Sequence, residues 1–365
     1  MRWHMAGWRS TLLLLVLLTL LPARAAEPQR GGYLLGSYYF PGWSANQRGS
    51  QFKDPWARIQ PFPEREPRQG WYSDADPAVL RRQAQDMRAA GLGFVVFDSY
   101  WDREGPFMDH ALRAYAKVWR DGDPRYALMW ANHFRWDSGR AGIEAMLDSW
   151  MRAYLVQPGY LRIDGRPALF VFSIEHFDSN ARELGMPIEA LVELVQQRAR
   201  RAGLPGVYLI AGTAALEHWV RGVAPRAGFS ALTAYNYHIG YSGSAASASA
   251  APKRFADLAA AYLQNWRWIV GNSALPYIVP MTAGWDRTPW LDSAKGEGTY
   301  RAIATPEEFE AHLRDARKLM DEHAGKTLRM GIICCWNEYG EGSFIEPTRV
   351  HGSSVLDKIQ RVFEP

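Results

Sequence analysis

The sequence has little that suits a polyanion, a redox partner or a sequence-local metal site. Its net charge is +4 over 365 residues, and with Arg2, Arg9 and Arg24 set aside 39 basic side chains face 38 acidic ones. So weak a field excludes nucleic acid as a main partner. There are two cysteines, Cys334 and Cys335, adjacent in the chain. A bond between neighbours departs from ordinary disulfide geometry, so they are read as buried thiols and the fold as held by its core. No apolar run is followed by a glycine-rich phosphate turn, and no Gly-x-Ser-x-Gly, His-x-His or His-Glu-x-x-His spacing occurs. Dinucleotide binding, an elbow serine and a compact zinc motif thus lose their usual signatures, and no cofactor is expected.

What is present is a globular composition, 47% hydrophobic and 22% charged. Residues 1–26 read as a secretory signal peptide. Arg2 and Arg9 give a positive start, Thr11 to Leu21 is an apolar run, and Ala23-Arg24-Ala25 supplies small cleavage residues. The run is shorter than the about 20 residues of a spanning helix. The expectation is a secreted or periplasmic protein with no integral membrane segment once the signal is removed, and one domain over residues 27–365.

Eight nearly continuous apolar runs recur along that domain: Tyr33–Phe40, Gly93–Asp98, Tyr126–Asn132, Ala168–Phe172, Val207–Gly212, Ala231–Tyr237, Tyr277–Thr282 and Met330–Trp336. Such runs suit strands buried on both faces of a parallel sheet. Helical patterns separate most of them. Asp76-Pro77 opens one that ends at Gly91, Met186-Pro187 opens one ending at Gly203, and Thr305-Pro306-Glu307-Glu308 combines a cap with an acidic first turn. Further helices fit about 107–120, 140–155, 253–269 and 353–362. The alternation predicts an α/β fold of the (β/α)8 TIM-barrel type with long loops after strands one, six and seven. The low-complexity stretch within 238–252 reads equally as a flap or as a surface excursion.

In such barrels reacting groups sit at the carboxyl ends of the strands. After the eighth run comes Trp336-Asn337-Glu338-Tyr339-Gly340-Glu341-Gly342, then Ile345-Glu346-Pro347. Glycines there let Glu338 and Glu341 face one cavity, and two desolvated carboxyl groups can divide into an acid and an ionised partner. That division is what glycosidic cleavage requires. The other strand ends carry aromatic rings suited to sugar faces, among them Tyr38, Tyr39, Trp43, Trp101, Trp130, Tyr235, Tyr237, Trp285 and Trp290. Asp98, Asp102, Asn132, Asn236 and Asp286 are placed to bond hydroxyls. Glu338 and Glu341 are therefore the candidate catalytic residues. The candidate substrate-binding set is Tyr38, Tyr39, Trp43, Asp98, Trp101, Asn132, Asn236, Tyr237, Trp285, Asp286, Asn337 and Glu346. A competing possibility groups His133, His176 and His238 with Asp98 around a metal ion, as in a metal-dependent polysaccharide deacetylase or hydrolase.

The strand-eight segment resembles the Asn-Glu-Trp-x-Glu-Gly signature of glycoside hydrolase family 99 and, more closely, the related WbsX-type glycan-processing proteins, whose signature tends to end in Glu-Pro. The likeness extends to Tyr38-Tyr39-Phe40-Pro41-Gly42-Trp43, Phe97-Asp98-Ser99-Tyr100-Trp101, Trp130-Ala131-Asn132, Asp164-Gly165-Arg166-Pro167 and Gly284-Trp285-Asp286-Arg287-Thr288-Pro289-Trp290. The resemblance implies a (β/α)8 enzyme that cleaves α-mannosides with retention. It implies that Glu341 is the general acid/base and that Glu338 deprotonates the sugar's own 2-hydroxyl, which attacks the anomeric carbon. Tyr339 stands where that family has Trp, and Gly340 where it has His. An oligo- or polysaccharide is the expected partner. A glycan-binding or glycan-assembly protein without hydrolytic activity is the alternative.

Overall fold

The computed structural model describes residues 32–49, 53–133, 138–237, 254–291 and 302–364. Residues 1–26, read above as a signal peptide, and the 238–252 stretch lie outside the described residues. Eight parallel strands make the central sheet: β1 Leu34–Tyr39, β2 Phe94–Asp102, β3 Arg125–Trp130, β4 Arg166–Val171, β5 Tyr208–Gly212, β6 Ala231–Thr233, β7 Val279–Thr282 and β8 Met330–Cys334. Their order is β6-β5-β4-β3-β2-β1-β8-β7, and a parallel bridge between Leu232 and Tyr277 joins the two ends. The sheet is thus a nearly closed barrel, as the alternation predicts.

The surrounding helices begin where the sequence punctuates. Asp76 caps α1 (Pro77–Ala89) by accepting from Ala78 N, with Pro77 in the first turn. Thr305 and Glu308 form a reciprocal capping box at the start of α7 (Pro306–Glu322). Between them run α2 (His110–Val118), α3 (Gly139–Trp150), α4 (Ile174–Glu183), α5 (Ile188–Arg201) and α6 (Phe255–Asn272), and α8 (Ser354–Phe363) closes the chain. Helix α4 has no counterpart in the sequence reading, because it starts only two residues after β4. Ser173 caps it by accepting from His176 N. No helix among the described residues is long and apolar enough to cross a membrane.

Several strands end earlier than their apolar runs. Strand β6 stops at Thr233, which leaves Tyr235, Asn236 and Tyr237 in a loop, and β8 stops at Cys334. The reading of Cys334 and Cys335 as free thiols is corrected here. The peptide between them is cis, their Cα atoms are 2.9 Å apart, and the two sulfurs are bonded.

Candidate active site

Directly after the bridged cysteines the chain forms a small hairpin. Asn337–Glu338 pairs antiparallel with Ser343–Phe344, and a 3₁₀ turn over Tyr339–Glu341 with Gly342 at φ +68° joins them. Only a residue tolerant of the left-handed region suits that last position. The hairpin is pinned from four directions. The Asn337 amide exchanges hydrogen bonds with the backbone of Phe40 at 2.9 and 3.0 Å, and the Trp43 indole donates to the Asn337 carbonyl at 2.9 Å. Arg65 donates to the Tyr339 carbonyl at 2.6 Å, and Tyr339 donates to Glu346 at 2.8 Å. Such fixing holds Glu338 and Glu341 in place before anything binds.

Both carboxyl groups line a cavity of about 890 Å³ at the carboxyl ends of the strands. Every strand contributes to its wall, through Phe40, Tyr100, His133, Phe172, Thr213, Tyr235, Trp285 and Glu338 in barrel order. Arg58 and Arg287 stand at the rim beside Trp290. Six of the fourteen candidate catalytic and substrate-binding residues meet on this wall: Asp98, Asn236, Tyr237, Trp285, Glu338 and Glu341. Asn236 accepts from Tyr262 at 2.6 Å, while its buried amide nitrogen has no partner among the described residues.

The remaining eight stand off the wall. Tyr38 packs against Phe170 and Tyr235, and Tyr39 donates to Gln83 at 3.0 Å. Trp43 stacks on Trp56. Trp101 pairs with Pro106 in a short hairpin. Asn132 bridges strand ends by bonding both the carbonyl and the N–H of Ser173. Asp286 is held by Arg65 at 2.6 Å, and Asn337 is occupied by Phe40. Glu346 is buried beneath the hairpin, accepting from Tyr72, Gln83 and Tyr339, and its burial outweighs those bonds to push its carboxyl up to about 7. These placements make the eight the scaffold of the cleft.

The electrostatics of the wall follow from burial. Glu338 is 4% exposed, and desolvation, with Glu341 and Asp98 nearby, pushes its carboxyl well above the ordinary range. Hydrogen bonds from Trp290 and Tyr235 oppose that push. Desolvation raises Glu341 to about 7, with Arg287 acting in the opposite direction. Like charges this close cannot both persist near neutrality, so the pair holds an acid and a base at once. His133 and His176 also line the cavity. His238 lies outside the described residues, and among the described residues no cluster of three His, Cys, Asp or Glu is spaced for a metal ion.

Gly340 reads in the sequence as a turn residue and as the position where the resembled family has His, and its lack of a side chain shapes the wall. A Cβ there would lie 1.7 Å from the Trp290 ring. Trp290 therefore packs over Gly340, on the same cavity wall as Glu338. Gly340→Ala is expected to displace Trp290 from that wall and lower kcat/KM by about tenfold or more. A crystal structure of the variant showing Trp290 unmoved, together with unchanged kinetics, would contradict that role.

A family model described as "Glycosyltransferase WbsX" matches residues 57–359. Two curated relatives from strains of Xanthomonas campestris pv. campestris, both named "Uncharacterized protein WxcX", are 24% identical over 314 residues, which is 79% of this chain and 41% of theirs. The chain thus spans about two fifths of their length. Among solved structures, the GH99 endo-alpha-mannosidase from Bacteroides thetaiotaomicron superposes with a TM-score of 0.61 at 14% identity, over 90% of this chain and 96% of that one. A "Glycoside hydrolase-like protein" gives 0.63 at 14%, over 96% and 98%. At such identities the likeness is one of fold.

Proposed function

The chain belongs to the WbsX glycosyltransferase family, and from that footing we propose that it cleaves glycosidic bonds of an oligo- or polysaccharide with retention of configuration. The observation that carries this reading is the pair of carboxyl groups, Glu338 buried and Glu341 half-buried, fixed on one hairpin at the mouth of the barrel. α-Mannosides are the first substrates to try, given the mannosidase fold neighbour. Residues 1–26 and their place in export remain part of the proposal, with the reaction set outside the cytosol.

In the first step Glu338 takes the proton of the 2-hydroxyl, O2 bonds to the anomeric carbon, and the bond to the leaving oxygen breaks as Glu341 protonates it. Water then adds to the anomeric carbon, giving its proton to Glu341, as the bond between that carbon and O2 breaks and O2 recovers its proton from Glu338. Both residues return to their starting states. The family description favours a second outcome of the same site, in which a sugar hydroxyl replaces water and the product is a new glycoside. Products read by mass, with and without added acceptor sugars, separate the two.

The acid role sets a pH dependence. Glu341 must carry its proton to act, and burial holds that proton until about pH 7. Above that value kcat/KM is expected to fall about tenfold per pH unit. The limb should be absent in Glu341→Gln assayed with an activated aryl glycoside. A rate that stays flat well above neutrality in the unmodified protein would remove Glu341 as the acid.

A further inference from the structure

Two arginines line the cavity on either side of the hairpin that carries Glu338 and Glu341. Arg58 comes from the loop after β1 and Arg287 from the loop after β7, and β8 lies between those two strands in the barrel. Both side chains are exposed. The Arg58 guanidinium donates to the Trp290 carbonyl at 3.3 Å, and Trp290 N donates to the Arg287 carbonyl at 2.9 Å. One short turn, residues 287–290, thus ties both cations to the same stretch of rim.

The acid nearest to this turn is engaged elsewhere. Asp286 faces the buried Arg65 at 2.6 Å, and its other oxygen accepts from Thr288 N at 3.0 Å. Residues 287–291 contain no acid. Among the described residues Arg287 forms no ion pair, although Glu341 lines the same wall and is acted on by its charge. A cation placed to hold Glu341 ionised would pair with it, as Arg65 pairs with Asp286. Two further carboxyl groups line the cavity away from this rim. Asp98 accepts from Tyr235 at 3.2 Å, and Glu175, which accepts from Ser173 at 2.7 Å, follows β4 on the opposite side of the barrel. The whole chain is close to charge balance, so the two cations are a local feature and not part of a general basic field.

We propose that the cleft takes an acidic glycan, and that Arg58 and Arg287 bind the carboxylate of a uronic acid unit next to the bond held at Glu338 and Glu341. A guanidinium fork matches a carboxylate with two parallel hydrogen bonds, and Trp290 on the same turn supplies a ring for the sugar face. A uronic acid differs from its neutral sugar only at carbon 6. The charge at the rim is what would tell them apart. The inference rests on the reading of the cleft as a glycan site and adds the chemistry of the sugar beside the cleaved bond.

The test uses oligosaccharides in matched pairs: uronate-containing oligomers of bacterial exopolysaccharides, and the same oligomers after chemical reduction of their carboxyl groups to alcohols. Binding is read by calorimetry on the full chain carrying Glu341→Gln, which suppresses turnover and leaves both arginines in place. Acidic members should bind about tenfold or more tightly than their reduced partners at low ionic strength, and the gap should narrow in about 0.5 M salt. Arg58→Gln and Arg287→Gln should each reduce the gap by roughly five- to tenfold. Both positions are exposed, so neither change disturbs the core. Arg201→Gln, at the exposed end of α5, should leave the gap as it is.

Equal affinity within every pair, no binding by any acidic member, or a gap that survives both arginine changes would overturn the assignment. Neutral oligomers bearing sulfate or phosphate that bind more tightly than the uronates would overturn the carboxylate in favour of another anion. Cleavage is scored separately, with the unmodified protein and products read by mass. Acidic oligomers that are bound but left intact would remove the hydrolase reading and leave this one standing. Neutral α-mannan cleaved, with no gap in any pair, would do the reverse.

Discussion

Glu341→Gln is expected to lower the rate on a substrate with a poor leaving group by about 10²–10⁴. The amide keeps the shape and hydrogen-bonding capacity of the acid but has no proton to give. Glu338→Gln should be nearly inactive as well, for a different reason: nothing then takes the proton of the attacking hydroxyl. A highly activated leaving group separates the two. It needs little protonation, so it should partly rescue Glu341→Gln and leave Glu338→Gln inactive. Equal rescue would dissolve the assignment of roles, and wild-type rates in both would remove cleavage by this pair. Folded variants that still bound glycan would then favour a binding or assembly role.

The second large effect concerns stability. Arg65 is fully buried, paired with Asp286 at 2.6 Å and bonded to the carbonyls of Asp286 and Tyr339. Asp286 is 2% exposed and also accepts from Thr288. Removing the guanidinium strands a buried carboxylate and frees the turn that carries Glu341. Arg65→Met should therefore cost about 3–5 kcal/mol in denaturant unfolding, and the double change with Asp286→Leu should cost much less, since a buried pair replaced by apolar groups loses both the attraction and the desolvation. Additive losses in the double variant would show that the pair is not the source. Because Arg65 also donates to the hairpin, the surviving folded fraction of Arg65→Met should turn over more slowly.

Much of this was readable from the sequence. Continuous apolar runs spaced by capped helices gave the barrel because both signals are local: burial on two faces removes alternation, and Thr305 or Asp76 satisfies N–H groups only a few residues away. The position of Glu338 and Glu341 after the last strand followed from the architecture. What could not be read was which polar residues face inward. Asn132, Asn337 and Glu346 look like sugar ligands by type and position, yet each is consumed by a partner 41, 297 or 263 positions away. Arg65 carried no signal, since it ends a short turn that reads as surface and its partners Asp286 and Tyr339 lie 221 and 274 positions away. Helix α4 was missed because its cap immediately follows a strand. The pairing of Cys334 and Cys335 depends on the geometry of one peptide bond, which residue types do not encode.

The central claim is that Glu338 and Glu341 together break a glycosidic bond. The most direct test incubates the purified protein with defined α-mannans and bacterial exopolysaccharide oligomers in oxygen-18 water and reads the products by mass. Cleavage is expected to place one heavy oxygen at each new reducing end, and a protein carrying both Glu338→Gln and Glu341→Gln should yield none. Products formed at the same rate by that double variant would contradict the claim.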